Sequence, residues 1–202
     1  MKRILCGAVT LALLTILQAQ TDELTLPAEV KALIPAKRDV VGAATADLNG
    51  DDLPDYVVVA QETESANPED PARTVLVITQ KPAGEYAITA RNDRAVISKM
   101  DGGLSDSFAG ITAKAKTFSI SHEGGRRDKW HAIYTFGFSR VDQAWQLVQI
   151  EGNRWSEDGA VHTYKPPHDF GKIAFEDFDT EKWQGRGEGY RKSKLSKPMI
   201  PE

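Results

Sequence analysis

The amino-acid sequence predicts a mainly β protein: a single antiparallel β domain, folded as a sandwich or a curved sheet, with one short N-terminal helix. Three features carry that expectation. Short runs rich in Val, Ile, Thr, Tyr, Phe and Trp recur between residues 40 and 164. Gly, Pro, Asn and Asp cluster between those runs, where turns need them. Only one segment shows a helical spacing of apolar residues. Many short strands in sequence, joined by tight turns, imply antiparallel pairing.

Leu26–Pro35 is the helix candidate. Pro27 suits a first turn, Val30, Leu33 and Ile34 share one face, and Pro35 stops the helix. Strands are expected at Val40–Ala46, Tyr56–Gln61, Thr74–Thr79, Glu85–Arg91, Ala95–Ser98, Ile111–Ala113, Thr117–His122, Trp130–Ser139, Ala144–Ile150 and Val161–Tyr164. Alternation is plain in Phe118/Ile120 and in Tyr134/Phe136 against Ile133/Thr135, and Trp145 alternates with Leu147 as core. Lys81–Gly84 and Ser139–Gln143 have the length and composition of hairpin connections. Glu62–Arg73, with Pro68, Pro71 and several acids, is expected to form a long exposed loop.

The N-terminus begins Met1-Lys2-Arg3, continues almost wholly apolar from Ile4 to Leu17, and ends in Gln18-Ala19-Gln20. This is the pattern of a secretory signal peptide over residues 1–19, too short to span a bilayer. A periplasmic or secreted location follows. Cleavage would take away Cys6, the single cysteine, and two of the 25 basic residues but none of the 29 acids. The mature chain is thus expected to carry 23 basic against 29 acidic residues, a net charge of −6. It would fold without disulfides, and a bound ion would add stability by mass action. Residues 20–183 suit one domain with a sizeable core. Residues 184–202, glycine-rich with Arg191, Lys192, Lys194 and Lys197, read as a disordered basic tail. An acidic chain gives no reason to expect nucleic acid, and no internal segment is apolar enough for a membrane span.

The segment Asp47-Leu-Asn49-Gly50-Asp51-Asp52-Leu53-Pro54-Asp55 carries the clearest chemistry. Asp47, Asn49, Asp51 and Asp55 stand at loop positions 1, 3, 5 and 9, and the Leu53 carbonyl is available at position 7. Ca²⁺ takes six to eight oxygen ligands in a tolerant geometry, which alternate side chains of a tight loop supply. Three close carboxylates repel one another unless a cation lies between them. Gly50 suits a left-handed turn; Asp52, at the sixth position, must adopt one without being glycine. An EF-hand is excluded: position 12 is Val58 rather than Glu, and Tyr56–Ala60 reads as a strand. A metal-free Asp/Asn/Gly turn is the simpler alternative. The expectation is one structural Ca²⁺.

This loop resembles the calcium loops of FG-GAP/VCBS-type and integrin-like propeller blades, which also lead straight into a strand. More broadly, residues 26–180 resemble a group of uncharacterised secreted bacterial proteins. The stretches that carry the resemblance are Leu26-Pro-Ala-Glu-Val30, Ala46–Asp51, Tyr86–Asp93, Gly102–Ile111, His122-Glu-Gly-Gly125 with Trp130, and Asp169–Ile173. The resemblance implies a calcium loop and no particular activity. One copy of the loop excludes a complete propeller.

Other chemistry is sparse. His122, His131, His162 and His168 form no HExxH or HxH pair, although His122 and His131 flank the Gly124–Gly125 turn and could face each other across it. Ser105-Asp106-Ser107 lacks the G-x-S-x-G pattern of a nucleophile elbow and reads as a turn. Glu176-Asp177-Phe-Asp179 is expected to be an exposed acidic turn. Trp155, beside Arg154, is a candidate contact for a partner or a sugar, and Arg126-Arg127 beside Trp130 form a local positive patch. The leading expectation is an exported, calcium-binding, monomeric module of the bacterial envelope. It would bind a protein or glycan partner without catalysis, as an immunity or inhibitor protein does. The alternative is a periplasmic hydrolase of envelope glycans or lipids using Asp106, His122 or Glu176, which requires those groups to share one concave pocket.

Overall fold

The computed structural model describes residues 25–102, 105–154, 156 and 158–182. The expected leader, the tail 184–202, Trp155 and Trp183 lie outside the described residues. Two antiparallel sheets dominate, each in plain chain order. The first holds β1 (Arg38–Ala46), β2 (Asp55–Glu62), β3 (Arg73–Gln80) and β4 (Tyr86–Asn92). The second holds β5 (Phe108–Lys114), β6 (Thr117–Gly124), β7 (Trp130–Ser139), β8 (Ala144–Gly152) and β9 (His162–Tyr164). The expected mainly-β, antiparallel class is what the chain adopts, and the two sheets share one core as a sandwich.

Residue parity explains the layering. In β2 and β3, Val57, Val59, Val75 and Val77 point toward the second sheet and join Phe118, Ile120, Tyr134, Phe136 and Leu147 in that core. Their neighbours Tyr56, Val58, Leu76 and Ile78 point the other way, into a smaller cluster with Leu26, Val30, Leu33 and Ile34. The N-terminal segment, with one helical turn α1 (Ala28–Lys31), therefore covers the back of the first sheet. Burial on both faces is why β2 and β3 read as unbroken apolar runs, whereas β6 and β7 alternate. Phe175 and Phe178, on and after a 3₁₀ turn, pack edge-on against the aromatic centre: Phe136 lies 5.0 Å from one ring centroid and 5.1 Å from the other. Asn92 holds that segment by donating from Nδ2 to the carbonyls of Phe175 and Phe178.

One expected strand is absent. Ala95 and Ile97 are buried, but Ala95–Ser98 pairs with no strand among the described residues. It is a crossover between the sheets, and side chains satisfy its backbone in place of a ladder. Ile97 N donates to His122 Nε2 at 3.1 Å, and Ser107 Oγ donates to the carbonyl of Ser98 at 3.0 Å. The Asp70 carboxylate accepts from Lys99 N at 2.9 Å. Period-two burial cannot distinguish such a strap from a paired strand.

Candidate metal centre

The loop between β1 and β2 begins at Asp47 and ends where Asp55 opens β2. Leu48, fully buried, anchors it in the main core. Asp55 shares parity with Val57 and Val59, so its side chain enters the sandwich end and is fully buried. Gly50 and Asp52 both take positive φ, 81° and 66°, so Asp52 makes the left-handed bend the sequence demanded of it.

The loop is built on its own carboxylates. Asp47 accepts the backbone N–H of Gly50 at 2.6 Å, of Asp51 at 3.1 Å and of Asp52 at 3.2 Å. Asp51 Oδ1 accepts from Leu53 N at 2.9 Å. Asp55 accepts from Leu48 N at 2.8 Å, Asn49 N at 3.3 Å and, across the sheet, Gln80 N at 3.0 Å. Oxygens of Asp47, Asp51 and Asp55 lie within 4.8 Å of one another. Asn49 is tied to Asp51 through its own amide, Nδ2 donating at 2.9 Å, and Leu53 enters the network through its N–H. Three of the five expected ligands thus converge. The other two border them.

This donor set fits a hard divalent cation. A carboxylate offers about four lone-pair sites. Asp47 and Asp55 each spend three on backbone N–H groups and Asp51 spends two, so all three keep acceptor capacity. All the donors are oxygen, with neither thiolate nor imidazole, which suits Ca²⁺ and not Zn²⁺. Electrostatics divides the carboxylates. Burial pushes the Asp55 carboxyl up and the charge of Asp51 adds to that, against the opposing backbone donors. Asp47 is also partly desolvated, but the N–H groups of Gly50, Asp52 and Asp51 outweigh this and hold it below the usual range. A cation shared among the three would offset the cost of keeping Asp55 charged.

The loop is also fastened to the second sheet. Lys116 N donates to the Asp47 carbonyl at 2.8 Å, and Arg140 Nη2 donates to the Gly50 carbonyl at 3.1 Å. Lys116 lies in the β5–β6 turn and Arg140 in the β7–β8 turn, so the loop bridges the sheets at one end of the sandwich. A Cβ on residue 50 would stand 2.7 Å from the ends of both of these flexible side chains, which could move aside, so the positive φ is what calls for glycine there.

No family model, curated protein or solved structure matches the chain.

The remaining candidate residues form no shared pocket among the described residues. His122 and His131 do not face each other: His122 pairs with Ala132 and His131 with Glu123, so adjacent register positions send them to opposite faces. His122 is buried, its Nε2 accepts the Ile97 N–H, and Nδ1 has no hydrogen-bond partner among the described residues. Burial lowers its pKa to about 3, helped by the charges of Arg154 and Arg73 and opposed by Asp106. Asp106 makes a two-pronged ion pair with the buried Arg73 and also accepts from Phe108 N. Ser107 bonds to backbone carbonyls. Both behave as the turn residues the sequence suggested. Glu176 is exposed, and neither of the two described surface depressions is lined by Asp106, His122 or Glu176.

Trp145 is core, as expected, and packs 4.9 Å from Phe138. Arg126 and Arg127 are exposed in the β6–β7 turn, but the guanidinium stacked on Trp130, 3.8 Å from its ring centroid, belongs to Arg154. Sequence reading missed Arg73 and Arg154. A basic residue opening or following a strand carries no local sign that it will be drawn in beside an aromatic ring or a distant carboxylate.

Proposed function

We propose that this protein is an exported, calcium-stabilised β-sandwich acting as a non-catalytic binding module of the bacterial envelope. The observation that supports it best is the meeting of three carboxylates within 4.8 Å on a loop fastened to both sheets. The ion is structural in this reading. It balances the charge of Asp47, Asp51 and buried Asp55, with Asn49 and the Leu53 carbonyl as further oxygens and water completing the shell. It thereby secures the end of the sandwich where β1–β2, β5–β6 and β7–β8 connections meet. The leader-like residues 1–19 support export, and the resemblance to FG-GAP/VCBS-type calcium loops supports the choice of ion. The engagement of Asp106 by Arg73, the burial of His122 and the exposure of Glu176 support binding over hydrolysis.

Thermal melts test the metal. Extracellular calcium modules bind at about 10⁻⁴–10⁻³ M, so about 10 mM Ca²⁺ is expected to add roughly 1.4–2.7 kcal/mol, several degrees in a domain of this size. Asp51→Ala is expected to abolish that gain while leaving the melting temperature in chelator within a degree or two, because Asp51 is exposed and its hydrogen bonds are local. An equal Ca²⁺ response in the two proteins rules out this loop as the site.

A further inference from the structure

The outward face of the five-stranded sheet holds a feature that the metal loop does not use. Register aligns Thr112 with Ser119, Ser119 with Thr135, and Thr135 with Gln149, so four hydrogen-bonding side chains form one row across β5, β6, β7 and β8. The hydroxyls of Ser119 and Thr135 lie 2.9 Å apart, which fixes the middle of the row. At strand spacings of about 4.8 Å the row is about 14 Å long. It runs through a depression of ≈ 350 Å³, at the small end of the range for ligand sites. Gly137 deepens the floor beside Val148: a Cβ there would come to 3.1 Å from Val148 Cγ1.

Charge marks the two sides of this depression. Lys114, on β5, and Lys165, just past β9, both line it and both are exposed. Among the described residues neither forms an ion pair, unlike Lys37 and Lys172. No carboxylate lines the depression, in a chain with more acids than bases. Glu151, on the adjoining row, is engaged by Gln149 Nε2 at 3.2 Å.

We propose that this face is a binding site for an acidic oligosaccharide, laid across the strands on the Thr112–Ser119–Thr135–Gln149 row with its carboxylates between Lys114 and Lys165. Hydroxyls and an amide in a regular row match a linear chain of hydroxyl-bearing units, each group able to donate and accept. Val148 offers a small apolar floor to the C–H face of a sugar ring. The depression's one aromatic lining residue, Phe118, is buried in the core and no arginine lines it, so the exposed aromatic and arginine anchors that dominate protein–protein interfaces are missing from the lining, which argues for glycan over protein. Two lysines fall far short of the basic stripe that nucleic acid requires. The chain's own residues 184–202 bring Arg191, Lys192, Lys194 and Lys197, of like charge to the two lysines. The proposal rests on the binding-module reading and names its partner.

Isothermal titration of the purified protein with an α-1,4-linked galacturonate hexamer, against a neutral glucose hexamer as control, tests it. Saturable binding of the acidic chain, at least tenfold tighter than the neutral one, is expected. The double variant K114Q/K165Q should weaken it at least tenfold, and Thr135→Val at least threefold, while both variants keep the wild-type melting response to Ca²⁺. No binding of either hexamer, or equal binding by wild type and K114Q/K165Q, overturns the glycan site and leaves the metal loop standing. Cleavage of the hexamer during titration would instead retain the site and overturn the non-catalytic reading.

Discussion

Asp55→Ala is expected to lower stability by about 3–5 kcal/mol in chelator, and by more in calcium. The buried carboxylate accepts backbone N–H groups from Leu48, Asn49 and Gln80, and alanine leaves those donors without their acceptor. Each buried donor so orphaned costs about 1–3 kcal/mol, with the larger values where the lost partner was charged. In the proposed site Asp55 therefore has two roles: it joins the loop to the end of β3, and it would offer oxygen to the cation. Asp51 would share the second, and its own hydrogen bonds, from Leu53 N and Asn49 Nδ2, are local to the exposed loop. Chemical denaturation in chelator separates the two, with a large loss for Asp55→Ala and a negligible one for Asp51→Ala. A negligible loss for Asp55→Ala in chelator would show that its hydrogen bonds contribute nothing to the sandwich.

Acid is expected to weaken the fold well above the range in which carboxylates titrate, through His122. Its folded pKa is depressed to about 3 by burial first and by Arg154 and Arg73 second. In the unfolded chain it returns to about 6.5. The folded state thus binds fewer protons between these values, so stability is complete above pH 6.5 and falls as pH drops toward 3. The loss is roughly 2–3 kcal/mol between pH 7 and pH 4.5 and roughly 5 kcal/mol when complete, each pH unit counting for about 1.4 kcal/mol. The geometry gives the same sign. Nε2 must stay unprotonated to accept the Ile97 N–H that holds the crossover strap. His122→Gln, which can offer an acceptor in the same place, should flatten the pH 7 to 4.5 slope of the unfolding free energy. A wild-type slope near zero, or an unchanged slope in the Gln variant, contradicts this role. Asp47, Asp93 and Asp106 are all held below the normal carboxylate range, so their contributions are lost only at still lower pH.

Much of the architecture was legible because burial leaves a period. Alternation in Phe118/Ile120 and Tyr134/Phe136 marked one inner face, and the two short connections marked hairpins. The unbroken runs in β2 and β3 also read as strands, but the sequence did not say what covers their second face. That required the N-terminal residues Leu26, Val30, Leu33 and Ile34 to pack there. Ala95–Ser98 misled because its partners, His122 and Ser107, are side chains remote in sequence.

The convergence of Asp47, Asp51 and Asp55 was legible in their spacing, since position within one loop dictates proximity. The loop's attachment to Lys116 and Arg140 was not, because sheet packing alone brings those turns to it. The Thr112–Ser119–Thr135–Gln149 row was hidden for the same reason: each member is an ordinary polar residue of its strand, and only register aligns them.

Calorimetric titration of the chelator-treated protein with CaCl₂ measures the proposed ion directly. One ion per chain, bound by wild type and not by Asp51→Ala, is the expected result. A flat thermogram for wild type up to millimolar calcium, with no accompanying rise in melting temperature, would mean that Asp47, Asp51 and Asp55 form a hydrogen-bonded turn and nothing more.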